Sequence, residues 1–162
     1  MPIKLRPAEL DDETFLYQLY ASTRAEEMAA WGWSEAQQQG FLNLQFRGQQ
    51  AHYAQYPNPD HQIILYEAQP IGRLFVSRHE EEIHLADIAL LPKYRGQGIG
   101  ATLIQNLLME AAQSGKAVRL YVEKFNRAQQ LYLRLGFRII GDAQSHYFME
   151  WKSPTGEKLC PI

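Results

Sequence analysis

Residues 85–103 read LADIALLPKYRGQGIGATL, and the fold turns on this stretch. Apolar residues dominate up to Pro92, so the pattern predicts a strand that ends there. An Arg-Gly-x-Gly-x-Gly turn follows, made of Arg95, Gly96, Gln97, Gly98, Ile99 and Gly100. Beyond it Ile99, Leu103, Leu107 and Ala111 recur every four residues, with Ile104 and Leu108 beside them. That is the stripe of an amphipathic helix. Glycine tolerates positive φ and lets a ligand come close to the main chain. A helix start offers unpaired N–H groups and the positive end of the helix dipole. Strand, glycine turn and helix start, in that order, make a seat for phosphate oxygens.

Two nucleotide motifs compete for the same residues. A P-loop needs Gly-Lys-Ser or Gly-Lys-Thr, and neither follows Gly96 or Gly98. Gly96, Gly98 and Ala101 match a dinucleotide-binding fingerprint by letter. That fingerprint turns straight out of its strand and opens a long βαβ array. Here Pro92, Lys93, Tyr94 and Arg95 intervene, and too little chain follows Gly100.

The 162 residues suit one domain, expected over residues 1–152, with a short tail at 153–162. Hydrophobic content of 46% and charged content of 21% are those of an ordinary globular protein. A net charge of −2 without a basic block excludes general nucleic-acid and membrane-surface binders. No apolar run is long enough to span a membrane, and the opening Met1-Pro2-Ile3-Lys4 shows no signal-like segment. Cys160 is the only cysteine, which excludes an internal disulfide and a cysteine metal cluster. The five histidines show no metal-binding spacing, so no metal is expected. Together these features suit the cytoplasm.

Residues 3–6 read as a strand. Asp11 or Asp12 caps a helix through Phe15, Leu16, Leu19 and Tyr20, which Trp31-Gly32-Trp33 breaks. Ser34 and Gln37 form a capping-box pattern for a second helix reaching Tyr53. Residues 63–66 and 72–76 read as a hairpin turned at Gln69 and Pro70, and Glu80 to Glu82 as a polar turn before a strand at 83–91. Ser114 and Gly115 stop the glycine-loop helix. A strand at 118–122, a helix at 126–135 ended by Gly136, and strands at 137–140 and 147–151 complete the chain. This order predicts a mixed α/β domain, a sheet with helices on both faces, and not a doubly wound parallel sheet.

The second motif is Asn126-Arg-Ala128-Gln-Gln-Leu131-Tyr132-Leu-Arg-Leu135-Gly136-Phe137. With the glycine loop upstream, it closely resembles the GNAT superfamily of acyl-CoA-dependent N-acyltransferases. Arg95, Gly98 and Gly100 match that family's Q/R-x-x-G-x-G/A loop; Asn126, Ala128, Tyr132, Gly136 and Phe137 match its N-x-x-A-x-x-x-Y-x-x-x-G-F helix. The resemblance implies a mostly antiparallel twisted sheet whose strands splay at an acetyl-CoA site. It implies that the main chain from Arg95 through Gly96, Gln97, Gly98, Ile99, Gly100 and Ala101 grips the coenzyme diphosphate, with Arg95 or Lys93 adding charge. The preceding strand, bulged in the family, would pair with the pantetheine arm through Leu90 and Leu91. The Leu90 amide would stabilise the oxyanion.

The resemblance further implies N-acetyl transfer from acetyl-CoA to a primary amine by direct attack in a ternary complex. No cysteine lies near the motifs to carry the acyl group. Tyr132 takes the place of the family's general acid; packing on Ala128 and Leu135 is its structural alternative. Asn126 either contacts the pantetheine arm or caps the helix. Asp87 or His84 is the candidate general base. The aromatic segment holding Trp31, Trp33, Phe41, Phe46, Tyr53 and Tyr56 would wall the acceptor pocket, with Glu26 and Glu27 to attract a cation and Arg47 to hold a carboxylate. A longer acyl-CoA, or a non-catalytic acyl-CoA sensor, is the alternative function. Dimers are common in the superfamily, so a homodimer is one open assembly.

Overall fold

The structure, a computed structural model, describes residues 2–154. Cys160 and the tail beyond residue 154 lie outside the described residues. The strands are β1 (Ile3–Pro7), β2 (Pro59–Tyr66), β3 (Gln69–Arg78), β4 (Glu82–Leu90), β5 (Ala117–Glu123), β6 (Arg138–Ala143) and β7 (His146–Trp151). The helices are α1 (Glu13–Ala29), α2 (Glu35–Tyr53), α3 (Ile99–Ser114) and α4 (Ala128–Arg134). Single 3-10 turns occupy Leu10–Asp12 and Pro92–Tyr94. The strands form one mostly antiparallel sheet in the order β1-β2-β3-β4-β5-β7-β6. Its parallel pair is β4 with β5, as the mixed α/β expectation required.

The chain groups into two compact units that alternate along the sequence. Among the described residues, the first takes 2–57, 61–74 and 87–95; the second takes 58–60, 75–86 and 96–154. In the first unit α1 and α2 meet over a core of Leu16, Leu19, Phe46 and Ile63, against which Ala89 and Leu91 also pack. Tyr17 sets its ring edge-on to Phe46 at 5.5 Å. In the second unit α3 buries Ile99, Leu103, Ile104, Leu107, Leu108, Ala111 and Ala112. α3 and α4 both pack on β5, whose Val118, Leu120 and Val122 alternate inward.

Local chemistry set several boundaries differently from expectation. Asp12 does not cap α1 with its side chain. It accepts two 2.8 Å bonds from Arg6 and one of 2.8 Å from the Glu9 N–H, closing the β1–α1 connection. The Ser34–Gln37 capping box forms as expected. β2 starts at Pro59, and the hairpin turn is Glu67-Ala68 rather than Gln69-Pro70, which belong to β3. Both turn residues have positive φ, 49° and 66°. A two-residue hairpin loop demands that conformation, and neither residue carries its usual glycine or asparagine signal. Glu82 opens β4 rather than closing a turn. β4 ends at Leu90, because Pro92-Lys93-Tyr94 winds into its own turn before the glycines. α4 starts at Ala128, two residues later than expected, and β6 at Arg138.

Two features of β4 prepare the site. Its parallel pairing with β5 covers only Glu82↔Ala117, Ile83↔Val118 and His84↔Arg119, although β5 continues to Glu123. The parallel register ends there. The second feature is a register change. The His79 N–H bonds the Glu82 carbonyl, and the Leu91 N–H bonds the Ile71 carbonyl, each at 2.8 Å. An unbroken ladder counted from His79–Glu82 would set Ile71 opposite Leu90. β4 thus holds one residue more than β3 over this span, the mark of a β-bulge.

Candidate active site

The glycine loop has the backbone that the sequence demanded. Gly96 and Gly98 stand at φ of 72° and 84°, in the left-handed region. Both are exposed, and a Cβ on either would touch no atom within 4 Å. Gly98 caps α3, and its carbonyl accepts both the N–H and the Oγ1 hydroxyl of Thr102, at 3.0 and 2.9 Å. The first turn is thereby fixed. The N–H groups of Ile99, Gly100 and Ala101 open the helix, where no intrahelical acceptor exists. The loop carries the open N–H groups and positive dipole end that an anion needs.

Upstream, the backbone of β4 changes sides at Leu90. Leu91 gives its N–H to Ile71 in β3. Across the planar trans peptide the Leu90 carbonyl must then point away from β3. Arg95 meets it there, Nε to oxygen at 2.8 Å, with a second nitrogen 3.3 Å from the Ser22 Oγ. Arg95 therefore ties the strand end to α1, a role not foreseen from its place in the phosphate motif. The Lys93 ammonium lies 5.7 Å above the Tyr94 ring.

The two candidate bases have different surroundings. The Asp87 carboxylate, a quarter exposed, binds Arg73 at 2.7 Å. Arg73 is buried, reaches the Gln49 Oε1 at 2.7 Å, and lies 5.0 Å over the Tyr53 ring. Burial, then the Asp87 charge, raises the Tyr53 phenol above its ordinary pKa. This Asp87–Arg73–Gln49 cluster joins β4, β3 and α2, and sequence reasoning missed Arg73 in it. A charged residue inside the apolar run of β3 was the available signal. His84 is half-buried and packs on Tyr121 at 5.9 Å; Tyr121 in turn stacks on Phe148 at 4.6 Å.

Tyr132 is buried at 7% exposure, its ring 5.5 Å from Phe137. Asn126 is exposed; its Oδ1 accepts the Ala128 N–H at 2.9 Å and its carbonyl accepts the Gln129 N–H at 3.1 Å. The side chain thus satisfies a first-turn donor of α4.

On the acceptor side the aromatic residues divide. Trp31, Trp33 and Phe41 form a cluster with ring centroids 4.9 to 5.4 Å apart, and Arg24 stands 5.3 Å over Phe41. Phe46 is core, and Tyr56 packs on His52. Glu27 pairs with Arg24 at 2.9 Å, while Glu26 is exposed. Arg47 lines an open groove of about 530 Å³ together with Asp11 and Glu13. Among the described residues, no group of three or more histidine, cysteine or acidic side chains could hold a metal, and no helix is long and apolar enough to cross a membrane.

Comparison with known proteins accords with this architecture. An uncharacterized N-acetyltransferase of Mycobacterium tuberculosis is 32% identical over 98 residues, 56% of this chain and 62% of that protein. The ribosomal protein bS18-alanine N-acetyltransferase of Haemophilus influenzae is 32% identical over 85 residues, 52% of this chain and 58% of that protein. The chain thus matches under two thirds of the length of these relatives. The PaiA N-acetyltransferase of Thermoplasma acidophilum, solved in complex with coenzyme A, superposes with a TM-score of 0.69. That superposition covers 94% of this chain and 100% of that one at 20% identity, a likeness of fold. The family model described as "Acetyltransferase (GNAT) domain" matches residues 58–139, a span that includes β4, β5, the glycine loop and the tyrosine helix. The chain belongs to the GNAT acetyltransferase family, a family of acyltransferase enzymes.

Proposed function

We propose that this protein transfers the acetyl group of acetyl-CoA to a primary amine by direct attack in a ternary complex. The observation that carries the reading is the exposed loop with left-handed Gly96 and Gly98 at the start of α3. Main-chain N–H groups from Gly96 to Ala101 would hold the coenzyme diphosphate, and the Leu90 and Leu91 main chain the pantetheine arm. Residues 1–152 would work as one catalytic domain in the cytoplasm.

In the reaction the amine attacks the thioester carbonyl, a C–N bond forms, and the carbonyl π pair moves to oxygen. Collapse of that oxyanion breaks the C–S bond. The thiolate takes a proton from the Tyr132 phenol, and the new ammonium loses one to the base. The Leu90 N–H would hold the oxyanion while it exists. Asp87 is already bound to Arg73, so His84, or a water relayed through either group, serves as base on this reading. The bS18-alanine N-acetyltransferase is named for an amine acceptor, which supports the reaction class and not a particular acceptor here. A thiol-release screen of an amine library with acetyl-CoA tests the proposal. Release with at least one amine supports it; coenzyme binding without release across the library would favour the sensor alternative.

A further inference from the structure

Gly72 lies in β3, buried, between buried Ile71 and buried Arg73. A Cβ built on it would stand 2.2 Å from the Ala89 carbonyl oxygen, 2.8 Å from Leu90 Cδ2 and 3.2 Å from the Ala89 carbonyl carbon. The shortest of these contacts is to main chain, so no rotamer change relieves it. The oxygen is much nearer than its carbon. With a C=O length of ~1.23 Å, the bond points within ~30° of the missing Cβ. The Ala89–Leu90 peptide is trans and planar, so the Leu90 N–H points the opposite way, away from β3. The next peptide alternates: the Leu91 N–H goes to Ile71 and the Leu90 carbonyl goes to Arg95. Leu90 thus turns both its polar main-chain groups away from β3, within the span over which β4 has gained its extra residue.

We propose that Gly72 is a positioning residue for acetyl transfer: its missing Cβ lets the Ala89 carbonyl turn inward and so aims the Leu90 N–H at the thioester oxygen. The inference rests on the acetyl-CoA reading above. Any side chain at residue 72 must push the Ala89 carbonyl aside. The same peptide plane then rotates the Leu90 N–H off its target. The diphosphate seat at Gly96 to Ala101 belongs to another stretch of chain and is left alone. Gly72 should therefore act at the acyl carbonyl, through the Leu90 N–H, far more than on the diphosphate end of the coenzyme.

The experiment compares wild type with Gly72→Ala. Its probes are CoA and a ketone analogue of acetyl-CoA in which methylene replaces sulfur and the carbonyl carbon is ¹³C. In wild type the ¹³C resonance moves downfield on binding, because the carbonyl accepts a hydrogen bond. In Gly72→Ala that displacement should fall by about half or more, with CoA affinity within about twofold of wild type. With any amine found in the thiol-release screen, kcat should fall on the order of 10-fold or more at nearly constant KM for acetyl-CoA. An unchanged resonance and kcat, or a parallel loss of CoA affinity, would overturn the inference. If Gly72→Ala does not fold, wild type still tests the aim. The Leu90 amide should exchange rapidly in the free protein and become protected by the ketone analogue but not by CoA. Slow exchange without ligand, or protection by CoA alone, refutes it. Failure of wild type to bind CoA at all would instead strike at the acetyl-CoA reading.

Discussion

Gly100→Glu separates the coenzyme from the fold more cleanly than any other change in the loop. Gly100 is the second residue of α3, its φ is not positive, and a Cβ there meets nothing within 4 Å. For the free protein the substitution removes only glycine's backbone freedom. It should stabilise by ~0.5–1 kcal/mol, since glutamate is the better helix former and its charge suits the first turn. For a protein of this size that raises Tm by ~1–4 °C. The empty space beside Gly100 is where the diphosphate would lie on the proposed reading. A glutamate side chain there would fill that space and set a like charge against the phosphate oxygens, displacing at least one from its N–H donors. Losing one charge-assisted hydrogen bond of ~1.5–3 kcal/mol weakens CoA by roughly 10- to 150-fold. The assay is a thermal-shift titration with CoA, confirmed by calorimetry. The two effects have opposite signs: a more stable free protein and a weaker complex. Wild-type CoA affinity in a stabilised Gly100→Glu protein would refute the diphosphate assignment. Gly98→Ala is the control. Its φ of 84° costs a side chain ~1–2 kcal/mol, so stability itself should drop there.

Other outcomes follow from the same geometry. Tyr132→Phe should lower kcat by ~10²-fold or more while CoA affinity stays within about twofold; equal turnover would return Tyr132 to a packing role beside Phe137. Asp87→Asn weakens the contact of buried Arg73 and should destabilise by ~1–3 kcal/mol in urea unfolding, an effect His84→Ala should not share. If His84 is the base, His84→Ala should also remove the acidic limb of the kcat profile, and a retained limb would rule it out. Asp12 has its pKa lowered, first by the Arg6 hydrogen bonds. A lowered folded pKa gives stability that is complete above the unfolded value of ~4 and is lost as pH falls through the folded one. Asp12→Asn should cost ~1–2 kcal/mol at pH 7 and show a shallower acid decline than wild type by calorimetry. Ala68→Gly, at φ 66° in the hairpin turn, should stabilise by ~1 kcal/mol.

How much was legible beforehand depended on whether a feature was local. The capping box at Ser34, the stop at Gly115 and the amphipathic α3 each involve neighbours within about one helical turn, and each stands where the pattern put it. The Glu67-Ala68 turn was not legible because neither residue prefers the conformation it adopts; the pairing of β2 with β3 imposes it. Asn126 has two roles open in the sequence; its side-chain oxygen accepts the Ala128 N–H from one residue ahead of the Arg127 N-cap. The motif offers Arg95, or Lys93, as charge for the diphosphate and says nothing of a strand contact. Only the path of β4 brings the Leu90 carbonyl within reach of Arg95. Gly72 carried a usable signal, a glycine inside a strand, which often marks close backbone approach. The sequence could not say which backbone approached.

The residues themselves determined the family, the order of elements and the glycine loop, because left-handed φ, helix capping and amphipathic spacing are properties of short segments. The tertiary structure decided the register of β4, the three-position pairing with β5 and the partners of Asp87 and Arg95. Those depend on which distant strand lies alongside. One extra residue in a strand leaves no trace in composition or periodicity, yet it reverses the direction in which a peptide N–H points.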